Sequence, residues 1–156
     1  MANNTAAATA TATRTAVSTG SAQDLVDLLV QTSFEVAAIV TRVGAEHDLS
    51  LTLVRVIGIL RDRTLTMADL ANYLGLERST VTGLVDRAER RGLVIRQSSA
   101  VDGRSIELVL SDAGHALADG VAGTVSNRLT PIVEKLPREV AAALPEVFAR
   151  LKDARA

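Results

Sequence analysis

The stretch from Thr66 to Gly114, TMADLANYLGLERSTVTGLVDRAERRGLVIRQSSAVDGRSIELVLSDAG, changes its hydrophobic period part-way, and that change decides the fold. Up to Arg91 the apolar residues recur at offsets of three and four: Leu70, Ala71 and Leu74, then Val81, Leu84, Val85 and Ala88. Beyond Gly92 the period falls to two. Leu93 to Ser98 and Ser105 to Leu110 read as strands, the second alternating Ile106, Leu108 and Leu110 with Ser105, Glu107 and Val109. Ser99 to Gly103 joins them, and its Asp102-Gly103 pair is a hairpin signal. Thr66 and Asp69 have the spacing of a capping box, and Gly75 suits the residue after a helix end. The next helix runs from about Arg78 to Arg91 and stops at Gly92. Two short helices joined by a tight glycine-containing turn form a helix-turn-helix. The hairpin that follows at once makes it a winged helix.

Working outward, Leu49-Ser50 opens a helix through Val54, Ile57 and Leu60, ended by Arg61-Asp62-Arg63. Before it, Ser21 and Asp24 again have capping-box spacing. The helix from Gln23 to about Ala45 carries Leu25, Leu28, Leu29, Phe34, Val36, Ile39, Val40 and Val43. That apolar face is wider than one-sided burial requires, and packing against another subunit is one way to cover it. Downstream, Ser111-Asp112 caps a long helix reaching toward Lys135, weakened by Gly114, Gly120 and Gly123. Pro131 should kink or divide it. Pro137 fits the opening of a last helix, Arg138 to Ala154, in which Pro145 predicts a bend or a break. The expected order is four helices, two strands and two helices, with no internal repeat.

Composition narrows the classes. Aromatics are 2% of the 156 residues, only Phe34, Tyr73 and Phe148. That argues against single-strand nucleic-acid binding, where bases stack on rings. The absence of cysteine removes disulfides, thiolate metal sites, a cysteine nucleophile and thiol redox sensing. The net charge is −1, but from Glu77 to Arg104 six arginines face four carboxylates, a local excess of +2. Residues 1–20 form an Ala/Thr-rich stretch, expected to be a disordered tail without the pattern of a secretory signal. No uninterrupted apolar run approaches the ~20 residues of a membrane span. A cytoplasmic protein with no membrane partner is the expectation. No nucleophile elbow, phosphate loop or paired catalytic motif points to an enzyme.

The run from Ser79 to Val94, followed by Asp102-Gly103-Arg104-Ser105 and by Leu110-Ser111-Asp112-Ala113-Gly114, resembles the MarR family of bacterial transcriptional regulators. The resemblance extends from about Leu25 to Leu151. It departs at Gly83, where a larger polar or basic side chain is common, and at Ala88, where Leu is commoner. It implies a mainly α fold with a small β-hairpin wing: a winged helix-turn-helix lobe (residues 49–111) on a helical dimerisation base (21–48 and 112–156). It also implies a homodimer that binds double-stranded DNA, most often as a repressor on an inverted repeat.

On that footing the reading helix would present Arg78, Ser79, Thr80, Thr82, Gly83 and Arg87 to the major groove. Ser79 and Thr80 could instead only cap the helix, and Arg87 could form a surface ion pair. Arg104 on the wing would enter a minor groove, with Asp102 orienting the wing, pairing with an arginine, or serving simply as a turn residue. Arg96 could reach the DNA backbone or support the lobe through an internal ion pair. Thr66 caps its helix and could add a phosphate contact. The resemblance further implies a pocket for a small aromatic or anionic effector, for which Arg42, His47 and Arg55 are candidates; each could equally be a surface residue. Glu46-His47-Asp48 with His115 allows a metal-responsive alternative, but no spacing resembles a dedicated site, so no metal site and no cofactor are assigned. The other alternative is a winged helix used for protein–protein association, which the Arg/Ser/Thr-rich helix face disfavours.

Overall fold

The computed structural model describes residues 21–99 and 105–153. The element order is α1 (Ala22–Ala45), α2 (Leu51–Leu60), β1 (Leu65–Thr66), α3 (Met67–Leu74), α4 (Arg78–Arg90), β2 (Val94–Ser98), β3 (Ile106–Leu110), α5 (Asp112–Val133) and α6 (Arg138–Asp153). Two compact units divide the chain, one ending at Glu35 and the other beginning at Val36.

The first unit contains the N-terminal half of α1. Ser21 and Asp24 form the expected reciprocal cap: Asp24 N–H donates to Ser21 Oγ (3.1 Å), and Ser21 N–H to the Asp24 carboxylate (3.2 Å). Leu25, Val26, Leu28, Leu29, Val30 and Phe34 are all exposed, Phe34 by 69%. With Val36 they cover about two thirds of the helix circumference; Asp24, Asp27, Gln31 and Glu35 share the remainder. By length and mean hydropathy (24 residues, 1.3), α1 is the one described helix that could cross a membrane. Asp24, Asp27, Glu35 and Arg42 interrupt the run, and the same broad apolar face explains why the helix passes.

In the second unit, local signals place the helix ends where the sequence puts them. Ser50 Oγ accepts from Leu53 N–H (3.2 Å) to start α2. Thr66 and Asp69 complete a capping box on α3, which closes at Gly75 in the left-handed conformation (φ 67°). Ser111 Oγ accepts from Gly114 N–H (3.0 Å) to start α5. The core gathers Val56 and Ile57 of α2, Leu70 of α3, Val81 and Val85 of α4, Val94 of β2 and Leu108 of β3, all nearly or fully buried. Each such side chain contributes roughly 1.5–3 kcal/mol through removal from water. Val121 and Ala118 extend this core onto α5.

The sheet is antiparallel with order β1-β3-β2, pairing Val94 with Leu110, Ser98 with Ile106, and Leu65 with Leu108. The short β1 is absent from the sequence-derived order. It comprises two residues held by pairing with β3, so no local period announces it. Of the outcomes expected at Pro131 and Pro145, division of the helix does not occur; α5 runs to Val133 and α6 to Asp153. Both prolines are exposed, so water can take the carbonyl that each deprives of a donor. The Ala/Thr-rich stretch 1–20 lies outside the described residues.

Candidate nucleic-acid interface

Helix α4 is fixed from below and free above. Val81, Leu84, Val85 and Ala88 are buried in the core, while Arg78, Ser79, Thr80, Thr82, Arg87 and Arg90 are exposed on the other side. Its N-cap is Glu77, which makes no side-chain cap hydrogen bond. Ser79 and Thr80 are therefore not the caps, and the N-cap side chain takes up none of the first-turn N–H groups at the dipole's positive end. Thr82 Oγ1 donates to the Arg78 carbonyl (2.9 Å), which holds its rotamer and leaves its oxygen lone pairs available. Gly83 is half-buried, and a Cβ there would meet no atom within 4 Å.

The two carboxylates of α4, Asp86 and Glu89, are both engaged by Arg96 of β2. Arg96 Nη2 lies 2.5 Å from Asp86 Oδ1, and its Nη1 bonds the Glu89 carboxylate. The hydrogen bond that Arg96 donates to Asp86, with both neighbouring negative charges, raises the Arg96 pKa above its ordinary value despite the opposing effect of burial. The guanidinium stays charged at every working pH. Arg96 thus sits at the wing root as an internal counter-ion, and it leaves Arg78, Arg87 and Arg90 as the charge that α4 presents outward.

Thr66 lies at the N-terminus of α3, half-buried, with its hydroxyl bonded to the Asp69 carboxylate (2.7 Å) and accepting from Asp69 N–H (3.2 Å). Below the wing tip the hairpin is closed by Ser99 N–H to the Ser105 carbonyl (2.8 Å) and Ser99 Oγ to Glu107 (2.5 Å). Asp102 and Arg104 lie outside the described residues.

The effector candidates stand in different settings. Arg42 is exposed in the last turn of α1, and His47 is half-buried in the turn that follows. Arg55 of α2 donates to the Leu74 carbonyl at the end of α3 (3.3 Å). Among the described residues no hydrogen bond or ion pair joins the three. Glu46, part of the metal alternative, is paired with Arg128 of α5, and no group of three or more His, Asp or Glu side chains among the described residues is placed to hold a metal. Among the contacts that escaped the sequence reading are Arg91 on the α1–α2 turn, Glu46 with Arg128, and Arg63 over the Tyr73 ring at 5.0 Å. Each joins residues distant in sequence, where no local period signals a partner.

Residues 47–105 match the sequence model of the MarR family. The HTH-type transcriptional regulator FarR of Neisseria gonorrhoeae is 35% identical over 98 residues, which cover 62% of this chain and 67% of FarR. The chain belongs to the MarR family. As a MarR-family member it is a transcriptional regulator, and the winged-helix geometry agrees with solved members. The structure of NadR in complex with 4-hydroxyphenylacetate is 27% identical with a TM-score of 0.71, spanning 86% of this chain and 94% of that one. Apo MarR from E. coli, at 19% identity and TM-score 0.68 over 81% of this chain and 96% of its own, shares the fold.

Proposed function

We propose that this MarR-family regulator binds double-stranded DNA sequence-specifically as a homodimer, represses transcription from an inverted repeat in the cytoplasm, and is released by a small anionic aromatic compound. The observation that carries this reading is the outer face of α4. Its exposed groups are three arginines and three hydroxyls, and its two acids are neutralised by Arg96. Arginine pairs with guanine O6 and N7, the Ser79 and Thr80 hydroxyls donate to phosphates or base edges, and Thr82, whose hydrogen is held by the Arg78 carbonyl, accepts from a base donor. Arg78, Ser79, Thr80, Thr82 and Arg87 read the major groove, with Gly83 allowing close approach. Thr66 adds a phosphate contact from the α3 N-terminus, and Arg104, oriented by Asp102, takes the minor groove. Arg96 acts through α4 rather than on the duplex.

Dimerisation is supported by the apolar face of α1 and by Val140, Val147, Phe148 and Leu151 along α6, all exposed in the single chain. Patches of this kind mark association surfaces. Residues 21–48 and 112–156 would then form the dimerisation region and 49–111 the DNA lobe. Two lobes related by a two-fold axis read half-sites roughly 34–36 Å apart. Effector release is supported by the aromatic acid held by NadR. Arg42, His47 and Arg55 supply the cationic groups that a carboxylate would need.

Selection of bound sequences from a random duplex library tests the reading. An inverted repeat with half-sites one turn apart is expected, with affinity falling steeply as salt rises through counterion release. Recovery of no preferred sequence, or affinity indifferent to salt, would refute it. Titration with 4-hydroxyphenylacetate tests release, since an effector must bind the non-binding state better in order to lower duplex affinity.

A further inference from the structure

The turn that ends the reading helix, Arg91-Gly92-Leu93, is gripped from two sides. On one side the Arg91 guanidinium reaches the turn after α1, where Nη1 donates to the Asp48 carbonyl (2.8 Å) and Nη2 to the His47 carbonyl (3.0 Å). On the other, Ser111 at the start of α5 donates Oγ–H to the Gly92 carbonyl (2.5 Å) and N–H to the Leu93 carbonyl (3.0 Å). The two grips differ in kind. The Ser111 side joins the turn to the helix cap that follows the hairpin, 19 residues on, whereas the Arg91 side spans more than forty residues of sequence.

The acceptors of Arg91 are shaped for it. Carbonyls just beyond a helix C-terminus carry the negative end of its dipole, so a guanidinium there is favoured both as donor and as charge. Asp48 adopts φ 55°, a left-handed conformation that few residues with a Cβ occupy without local support. The same turn is tied to α5 by Glu46 with Arg128. A planar fork bonded to two successive carbonyls fixes an angle as well as a distance.

We infer that Arg91 is a positioning residue that sets the angle of α4 against the α1–α2 turn, so that a displacement of this turn reaches the DNA-reading face. The inference rests on the DNA-binding reading above and assigns Arg91 no contact with the duplex. It separates Arg91 from Arg78 and Arg87, although the sequence places all three in one arginine-rich helix.

The full-length protein and a fluorescent duplex selected by the wild type provide the test. Arg91→Ala is expected to weaken duplex binding by about tenfold. The slope of log affinity against log salt stays the same, because no phosphate contact is lost. Arg91→Lys, which keeps the charge without the fork, recovers part of the loss. Without DNA, amide exchange at Asp48 and Leu49 becomes faster in Arg91→Ala. A slope reduced by about one would make Arg91 a phosphate contact and overturn the inference. So would unchanged affinity, or lost affinity with unchanged exchange. Should the wild type select no duplex, the DNA reading fails, and exchange at Leu49 then decides the coupling alone. Should Arg91→Ala fail to fold, Arg91→Gln gives the same readouts.

Discussion

Arg96 of β2 and Asp86 of α4 meet at 2.5 Å across the root of the wing, and Glu89, one turn further along α4, closes on the same guanidinium. One cation thus serves two carboxylates and fastens the sheet to α4. Arg96→Ala leaves both acids unpaired on α4. The three side chains are 30–41% exposed, so the loss falls between that of a surface pair and that of a buried one, about 1–2 kcal/mol. Arg96→Lys recovers less than half, because an ammonium cannot fork between two carboxylates. Urea denaturation measures both, and a midpoint unmoved by Arg96→Ala would contradict the bridging role.

Gly114 is required by a close approach. A Cβ built there would lie 2.1 Å from the Leu93 carbonyl oxygen and 3.2 Å from Leu110 Cβ. The carbonyl cannot retreat without breaking its bond from Ser111 N–H (3.0 Å). Gly114→Ala is therefore expected to destabilise the fold by about 3 kcal/mol, the upper range for overpacking. A thermal melt within a degree of wild type would show that the helix start shifts freely.

Gly83 predicts the opposite sign for the same substitution. It lies inside α4 with φ in the ordinary range, and an added Cβ meets nothing within 4 Å. Gly83→Ala should stabilise by about 0.5–1 kcal/mol through reduced chain entropy in the unfolded state. Calorimetry that shows a lower melting temperature would refute the claim that this position is open.

Much of this fold is legible in the sequence because its signals are local. Thr66 with Asp69, Gly75, Gly92 and Ser111 each mark an element end within four residues of their partners. β1 was illegible because Leu65 and Thr66 are strand only by virtue of Leu108 and Glu107 opposite them. The exposed face of α4 follows from helical periodicity alone. The role of each arginine does not. Arg91 is indistinguishable from Arg87 and Arg90 until tertiary structure brings carbonyls to it, and for Arg96 the choice between a DNA contact and an internal ion pair is made only by the carboxylates of Asp86 and Glu89.

The apolar stripe of α6 supplies a prediction about assembly. Val140, Leu144, Val147, Phe148 and Leu151 recur at offsets of three and four, and Phe148 is 52% exposed. An isolated chain would hold these side chains in water, whereas in the proposed homodimer a second copy related by two-fold symmetry would bury them against an equivalent surface. A carboxylate at the centre of such a surface would be desolvated without a partner. Phe148→Glu is thus expected to dissociate the dimer. Light scattering at micromolar concentration should give twice the 16.4 kDa chain mass for the wild type and the single-chain mass for the variant. Leu29→Glu tests the α1 stripe separately. Dissociation also weakens duplex binding, because one lobe can hold only one half-site at a time. Arg87→Ala provides the control: it should lose duplex affinity at unchanged mass. A Phe148→Glu protein that still scatters as a dimer would exclude α6 from the interface.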